Sequence, residues 1–152
     1  MELTGTRTIA SDRETVWASL NDPEVLKACI PGCEELTGSS VDGFEAVVKQ
    51  KVGPVKATFK GAVTLSNVNA PESYTITGEG KGGVAGFAKG GADVSLTEVE
   101  GGTELAYNVD AKVGGKLAQL VSRIVDVFAR KMTDQFFENF QTQVEGTTEE
   151  EA

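Results

Sequence analysis

Between Glu34 and Val113 the apolar residues recur at every second position; beyond Gly114-Gly115 they recur at every third or fourth. A period of two sends alternate side chains to opposite faces of a strand, and a period near 3.6 lays an apolar stripe along a helix. A long run of the first period followed by the second specifies antiparallel strands and then one terminal helix. Phe44, Ala46 and Val48 share one strand face. After the Gly53-Pro54 turn, Val55, Ala57, Phe59, Gly61, Val63 and Leu65 share the next, with Lys56, Thr58 and Lys60 on the wet side. Asn69-Ala70-Pro71, Gly82-Gly83 and Glu100-Gly101-Gly102 are further turn signals. They separate a strand with Tyr74, Ile76, Gly78 and Gly80 inward from one with Gly86, Ala88, Gly90, Ala92, Val94 and Leu96 inward, and from a last one with Leu105, Tyr107, Val109, Ala111 and Val113 inward.

Upstream, residues 2–10 read as a first strand. Ser11 with Glu14 three positions on forms a capping box for a short helix carrying Val16, Trp17 and Leu20. Asp22-Pro23 opens a second short helix that ends at Pro31-Gly32. Downstream, Leu117, Leu120, Val121, Ile124, Val125, Phe128, Met132, Phe136, Phe140 and Val144 predict a helix over about 116–144. The fold class is α+β: a curved antiparallel sheet of about seven strands wrapped on a long C-terminal helix, with two short helices after the first strand. One domain is expected over 1–145, with an acidic, disordered tail over 146–152.

The chain has 152 residues, 14 of them basic and 23 acidic, for a net charge of −9. That balance argues against nucleic acid as a partner, because phosphate binding draws on clustered Lys and Arg. Histidine is absent, which removes Ser-His and Cys-His nucleophilic systems and most zinc sites. No metal site and no catalytic residue is expected. Cys29 and Cys33 sit in CIPGC; two thiolates do not close a tetrahedral zinc site, and the spacing is not that of Cys-x2-Cys redox motifs. Reduced thiols in a cytoplasmic protein are expected. MELTGTRTIA lacks a basic stretch leading into an apolar one, so no secretory signal is expected.

Gly78-x-Gly80-x-x-Gly83 spells a dinucleotide-binding fingerprint. That fingerprint needs a helix opening at the glycines within a parallel βαβ unit, and here a strand pattern follows instead. The alternation offers a different role. Gly78, Gly80, Ala88, Gly90 and Ala92 occupy inward positions of neighbouring strands, so almost no side chain is placed where the core should be filled. Two readings follow: Phe87 and the helix fill the space, or the space is an apolar ligand cavity. On the cavity reading its wall comprises Phe59, Tyr74, Ile76, Gly78, Gly80, Phe87, Ala88, Gly90, Ala92, Tyr107, Val109, Leu117, Leu120, Val121, Ile124 and Phe128, with the two tyrosines as polar handles. Leucine at Gly90 would then fill space at little cost in stability. On the wet face, Lys51 falls opposite Lys56 across the Gly53-Pro54 turn, with Lys49 and Lys60 nearby. This cluster suits an acidic partner or anionic lipid, or else discourages edge-to-edge pairing.

The segments DPEVLKACIPGCEEL, VGPVKATFKGAV, GEGKGGVAGFAKGGA and VGGKLAQLVSRIVDVFARKM, with FFENF after it, resemble the G-subunit family of aerobic carbon monoxide dehydrogenase over about residues 1–145. The resemblance implies a helix-grip fold of the lipid-transfer and pollen-allergen-like superfamily, whose sheet and long helix enclose an apolar cavity. It implies an accessory protein rather than an enzyme. The implied partner is carbon monoxide dehydrogenase or a related molybdenum hydroxylase, and the implied location is the cytoplasm, peripherally at the inner face of the cell membrane. No cofactor is required on this reading. Because carbon monoxide oxidation releases electrons that must reach a membrane quinone, menaquinone, ubiquinone or a lipid is the expected cavity ligand. The alternatives are a protein-interaction or assembly factor with a filled core, and a cyclase- or hydrolase-like enzyme on the same fold.

Overall fold

The computed structural model describes residues 2–151, with side chains described as far as Gly146. Strand β1 (Glu2–Ile9) leads through helices α1 (Arg13–Leu20) and α2 (Pro23–Cys29) to β2 (Cys33–Ser39), β3 (Gly43–Val52), β4 (Val55–Asn69), β5 (Ser73–Lys81), β6 (Phe87–Val99) and β7 (Gly102–Gly114), and then to α3 (Ser122–Glu151). The seven strands form one sheet in the order β1-β7-β6-β5-β4-β3-β2, with every pairing antiparallel. The two short helices carry the chain from one edge of the sheet to the other, so five hairpin-linked strands lie between β1 and its neighbour β7. The expected α+β architecture is present. The tail expected over 146–152 falls, beyond Gly146, on side chains outside the described ones.

Two boundaries differ from expectation. The N-cap of α1 is Asp12, whose carboxylate accepts from Thr15 N at 3.1 Å and from Thr15 Oγ1 at 2.6 Å. Ser11 is held instead by β7, its carbonyl accepting from the buried Thr103 hydroxyl at 2.8 Å, and the helix therefore starts one residue later. The long helix begins at Ser122, not near 116. Gly115, at φ +67°, opens a 3-10 turn over Gly115–Gln119, and Leu120 is extended (φ −71°, ψ 150°). The apolar residues from Leu117 to Val121 thus precede α3 and do not continue its stripe.

The core lies where the C-terminal half of α3 crosses the sheet. Phe137, Phe140 and Val144 pack with Ile9, Val16, Leu20, Cys29, Val94, Leu96 and Leu105. Phe140, Ile9 and Leu105 are wholly buried. Polar contacts anchor this end: Glu145 Oε1 accepts from Ala10 N at 2.8 Å, and the Asn139 amide donates to the Cys29 carbonyl at 3.0 Å.

Candidate functional site

Strand register aligns the small inward residues in rows across the sheet. Ala46, Gly61, Gly80 and Ala88 stand side by side on β3 to β6. In the adjacent row, Val63, Gly78, Gly90 and Ala111 follow Phe44 from β3 to β7. Larger side chains return in the rows toward the core, with Leu65, Ile76 and Val109 around the small Ala92, then Tyr74, Val94 and Tyr107. Above the small residues lies a cavity of about 520 Å³, within the usual range for ligand sites. Its far walls are Leu20 of α1, Leu26 and Ile30 at the end of α2, Leu36 of β2, and Phe136 and Phe137 of α3. Glu79, Lys89 and Asp110 also border it, from positions whose side chains alternate to the outer face, where all three are exposed.

Of the wall residues expected from sequence, Tyr74, Ile76, Gly78, Gly80, Ala88, Gly90, Ala92, Tyr107 and Val109 line this cavity. The other seven do not. Phe87 has outer-face parity; it is partly exposed, its ring lies against Gly114, and Lys89 Nζ sits 5.9 Å from the ring centroid. Phe59 is on the inner face, but its ring is turned over Gly82. Leu117 is buried in the 3-10 turn, and Leu120 marks the break after it. Val121, at 66% exposed, and Ile124 lie on the outside of the start of α3, with Ile124 against the β3–β4 turn, 3.0 Å from where a Cβ on Gly53 would stand. Phe128 is half-buried one turn further on. The late start of α3 shifts the helical contribution to Phe136 and Phe137.

The walls from α1, α2 and β2 were missed by sequence reasoning. The alternation of β3 already placed Phe44, Ala46 and Val48 inward, and all three line the cavity. The apolar spacing of Leu20, Leu26 and Ile30 was the available signal that the short helices close the site.

Two of the glycines act differently. A Cβ on Gly80 would meet only Phe59 Cβ, at 4.0 Å, so this position opens onto space. A Cβ on Gly90 would run into the Asp110 carbonyl and stand 2.8 Å from Ala111 Cα on β7. Gly90 is therefore a close backbone approach, and leucine there collides with β7; the expected low cost does not hold.

The tyrosines also differ. Tyr107 stacks on Phe137, with ring centroids 4.7 Å apart, and its hydroxyl lies over Gly5 of β1. Tyr74 is 4% exposed and is met edge-on by Trp17 at 5.2 Å; burial pushes its hydroxyl pKa well above the ordinary value. Cys29 and Cys33 are free thiols. Burial pushes Cys29 up to about 11 and raises Cys33 less, so both stay protonated at neutral pH, and neither lines the cavity. Among the described residues no group of three His, Cys, Asp or Glu side chains is placed to hold a metal.

On the outer face Lys51 stands opposite Lys56, Lys60 opposite Lys81, and Lys89 opposite Lys112. Lys49 is drawn to Glu34 at 3.4 Å, and Lys81 to Glu79 at 3.8 Å. Two apolar side chains elsewhere are exposed: Val84 in the β5–β6 turn at 85%, and Val127 on α3, which packs on the other face of the sheet, at 58%. Among the described residues no helix is long and apolar enough to cross a membrane.

Comparison with known proteins gives one family and one fold. A sequence model of the family described as the carbon monoxide dehydrogenase G subunit (CoxG) matches residues 5–145. No curated protein matches the chain. Among solved structures, a conserved protein from Geobacillus kaustophilus superposes with a TM-score of 0.89 at 27% identity, covering 97% of both chains. A protein from Rhizobium leguminosarum has a TM-score of 0.73 at 12% identity, covering 95% of this chain and 94% of its own. One from Thermus thermophilus has 0.71 at 14%, covering 97% and 99%. The last two show the fold alone.

Proposed function

The chain belongs to the CoxG family of carbon monoxide dehydrogenase, and from that premise we propose that it is a non-catalytic carrier that holds an apolar molecule and links the dehydrogenase to the membrane. The observation that carries this reading is the apolar cavity of about 520 Å³ on its floor of glycine and alanine. A filled core, as an assembly factor would have, needs large side chains where Gly61, Gly78, Gly80 and Ala88 stand. A cyclase or hydrolase needs an acid or base facing the substrate, and the charged residues bordering this cavity alternate to the outer face. The ligand we propose is a respiratory quinone, menaquinone or ubiquinone, or a lipid of similar size. Burying roughly 400 Å² of its apolar surface at ~25 cal/mol per Å² gives ~10 kcal/mol before the costs of association, which leaves micromolar binding.

The outer-face lysines supply the membrane side of the proposal. Lys51 directly opposite Lys56 opposes sheet stability, which favours a role in binding, whereas Glu79, opposite Lys89 and paired with Lys81, offsets the other two like-charged pairs. Lys49, Lys51, Lys56 and Lys60, extended by Lys81, would meet anionic headgroups at the cytoplasmic face, and the exposed Val84, in the turn after Lys81, would enter the interface. Charge reversal at Lys51, Lys56 and Lys60 is expected to reduce sedimentation with phosphatidylglycerol vesicles, most at low salt; binding unchanged across a salt series contradicts this arm. Native mass spectrometry of the freshly purified protein tests the carrier arm. A mass excess that organic extraction removes and identifies as a quinone or lipid is expected. A protein of bare polypeptide mass that takes up no quinone analogue at tens of micromolar refutes it.

A further inference from the structure

Among the described residues the cavity has no charged side chain on its inner face, and this constrains the head of its ligand. A carboxylate or phosphate seated there would lose its water and meet no cation, at a cost well above that of burying a neutral oxygen. Tyr74 provides the complementary feature. Its side chain shares the inner face with Ile76 and Gly78 and lines the cavity, and its ring is fixed by the edge-on Trp17. Among the described residues its hydroxyl has no hydrogen-bonding partner, unlike the side chains of Thr103 or Asn139. Nor is it sealed in: the fully enclosed side-chain N or O atom that lacks a partner is Arg13 Nε. The Tyr74 hydroxyl therefore keeps some open space beside it, and Tyr74 is a wall residue of the cavity. A largely buried hydroxyl without a partner is unfavourable, and an incoming acceptor relieves that cost.

We infer that the cavity selects an uncharged, mainly apolar molecule bearing a carbonyl-type oxygen, and that Tyr74 is the specificity-determining residue, donating its hydroxyl proton to that oxygen. This rests on the carrier reading above and narrows it: a quinone head fits, while a fatty acid or phospholipid headgroup does not. Tyr107, with its hydroxyl over Gly5, has no such role.

The test is a titration of the wild-type protein and Tyr74→Phe with three probes of similar bulk: a decyl-tailed benzoquinone, decylbenzene and dodecanoate. The wild type is expected to prefer the quinone over both others. Tyr74→Phe is expected to lose about two- to tenfold in quinone affinity, to leave decylbenzene binding unchanged, and to melt no lower than the wild type without ligand, since no protein partner is lost. Equal quinone affinity in the two proteins, a preference for dodecanoate, or a clearly lower melting temperature for ligand-free Tyr74→Phe overturns the inference while leaving the carrier reading standing. Failure of the wild type to bind any of the three overturns both.

Discussion

Two ends of one sheet are filled very differently. At one end Phe140 and Val144 of α3 pack with Leu96, Leu105 and Ile9. At the other, the rows Ala46, Gly61, Gly80 and Ala88, and Val63, Gly78, Gly90 and Ala111, floor the cavity, which α3 meets through Phe136 and Phe137. Ile124 and Val127, near the start of α3, are exposed instead of buried. A sheet that used large residues in every row would pack along the whole helix. This one concentrates its stability at one end, which allows the other end to remain hollow.

That contrast can be broken by substitution. Phe140→Ala removes a wholly buried ring from the packed end and is expected to cost about 3–5 kcal/mol in denaturant unfolding. Phe136→Ala, at the cavity wall and half-buried, should cost distinctly less, because the space beside it already exists; equal losses would mean the two ends are packed alike. Gly90→Leu is expected to lose about 1–3 kcal/mol or more, since its Cβ meets the β7 backbone. A near-neutral Gly90→Leu would show that β6 and β7 are not pressed together there.

Asp12→Ala removes the cap of α1, which packs at the filled end, and should cost about 1 kcal/mol. Thr15, through its hydroxyl and then its backbone N–H, holds the Asp12 carboxyl below its ordinary pKa. The depressed folded-state value means that the cap's contribution is present above about pH 4, the unfolded value, and is lost as the pH falls toward the folded one. Wild type and Asp12→Ala should therefore converge in stability in acid. A difference that persists unchanged well below that pH would assign the effect to something other than the carboxylate.

The strands were legible in the sequence because alternation is a local property: the inward faces of β3, β4, β5 and β7 follow directly from their periods. The floor of the cavity was legible for the same reason. Its walls were not. Periodicity identified the apolar stripe from Leu117 to Val144 but not the break at Gly115–Leu120, where a single left-handed glycine and an extended leucine end one direction and begin another. Parity alone placed Phe87 outside, yet its bulk beside so many glycines suggested a filler. Gly80 and Gly90 look alike as letters; the distance to a neighbouring backbone separates them, and that depends on how tightly β6 is drawn onto β7. The apolar spacing of Leu26 and Ile30 signals a buried face, but what that face and Leu36 cover depends on where the chain crosses from one sheet edge to the other.

The central claim is that the small-residue end is a ligand cavity and not merely loose packing. Gly80→Leu tests it most directly, because a side chain at that position enters space that is already open. Titrating the decyl-tailed benzoquinone into wild type and Gly80→Leu should show micromolar binding by the wild type and its loss in the variant, with melting temperatures of the ligand-free proteins nearly equal. Equal binding by both proteins, or a large drop in the melting temperature of Gly80→Leu, would contradict the account.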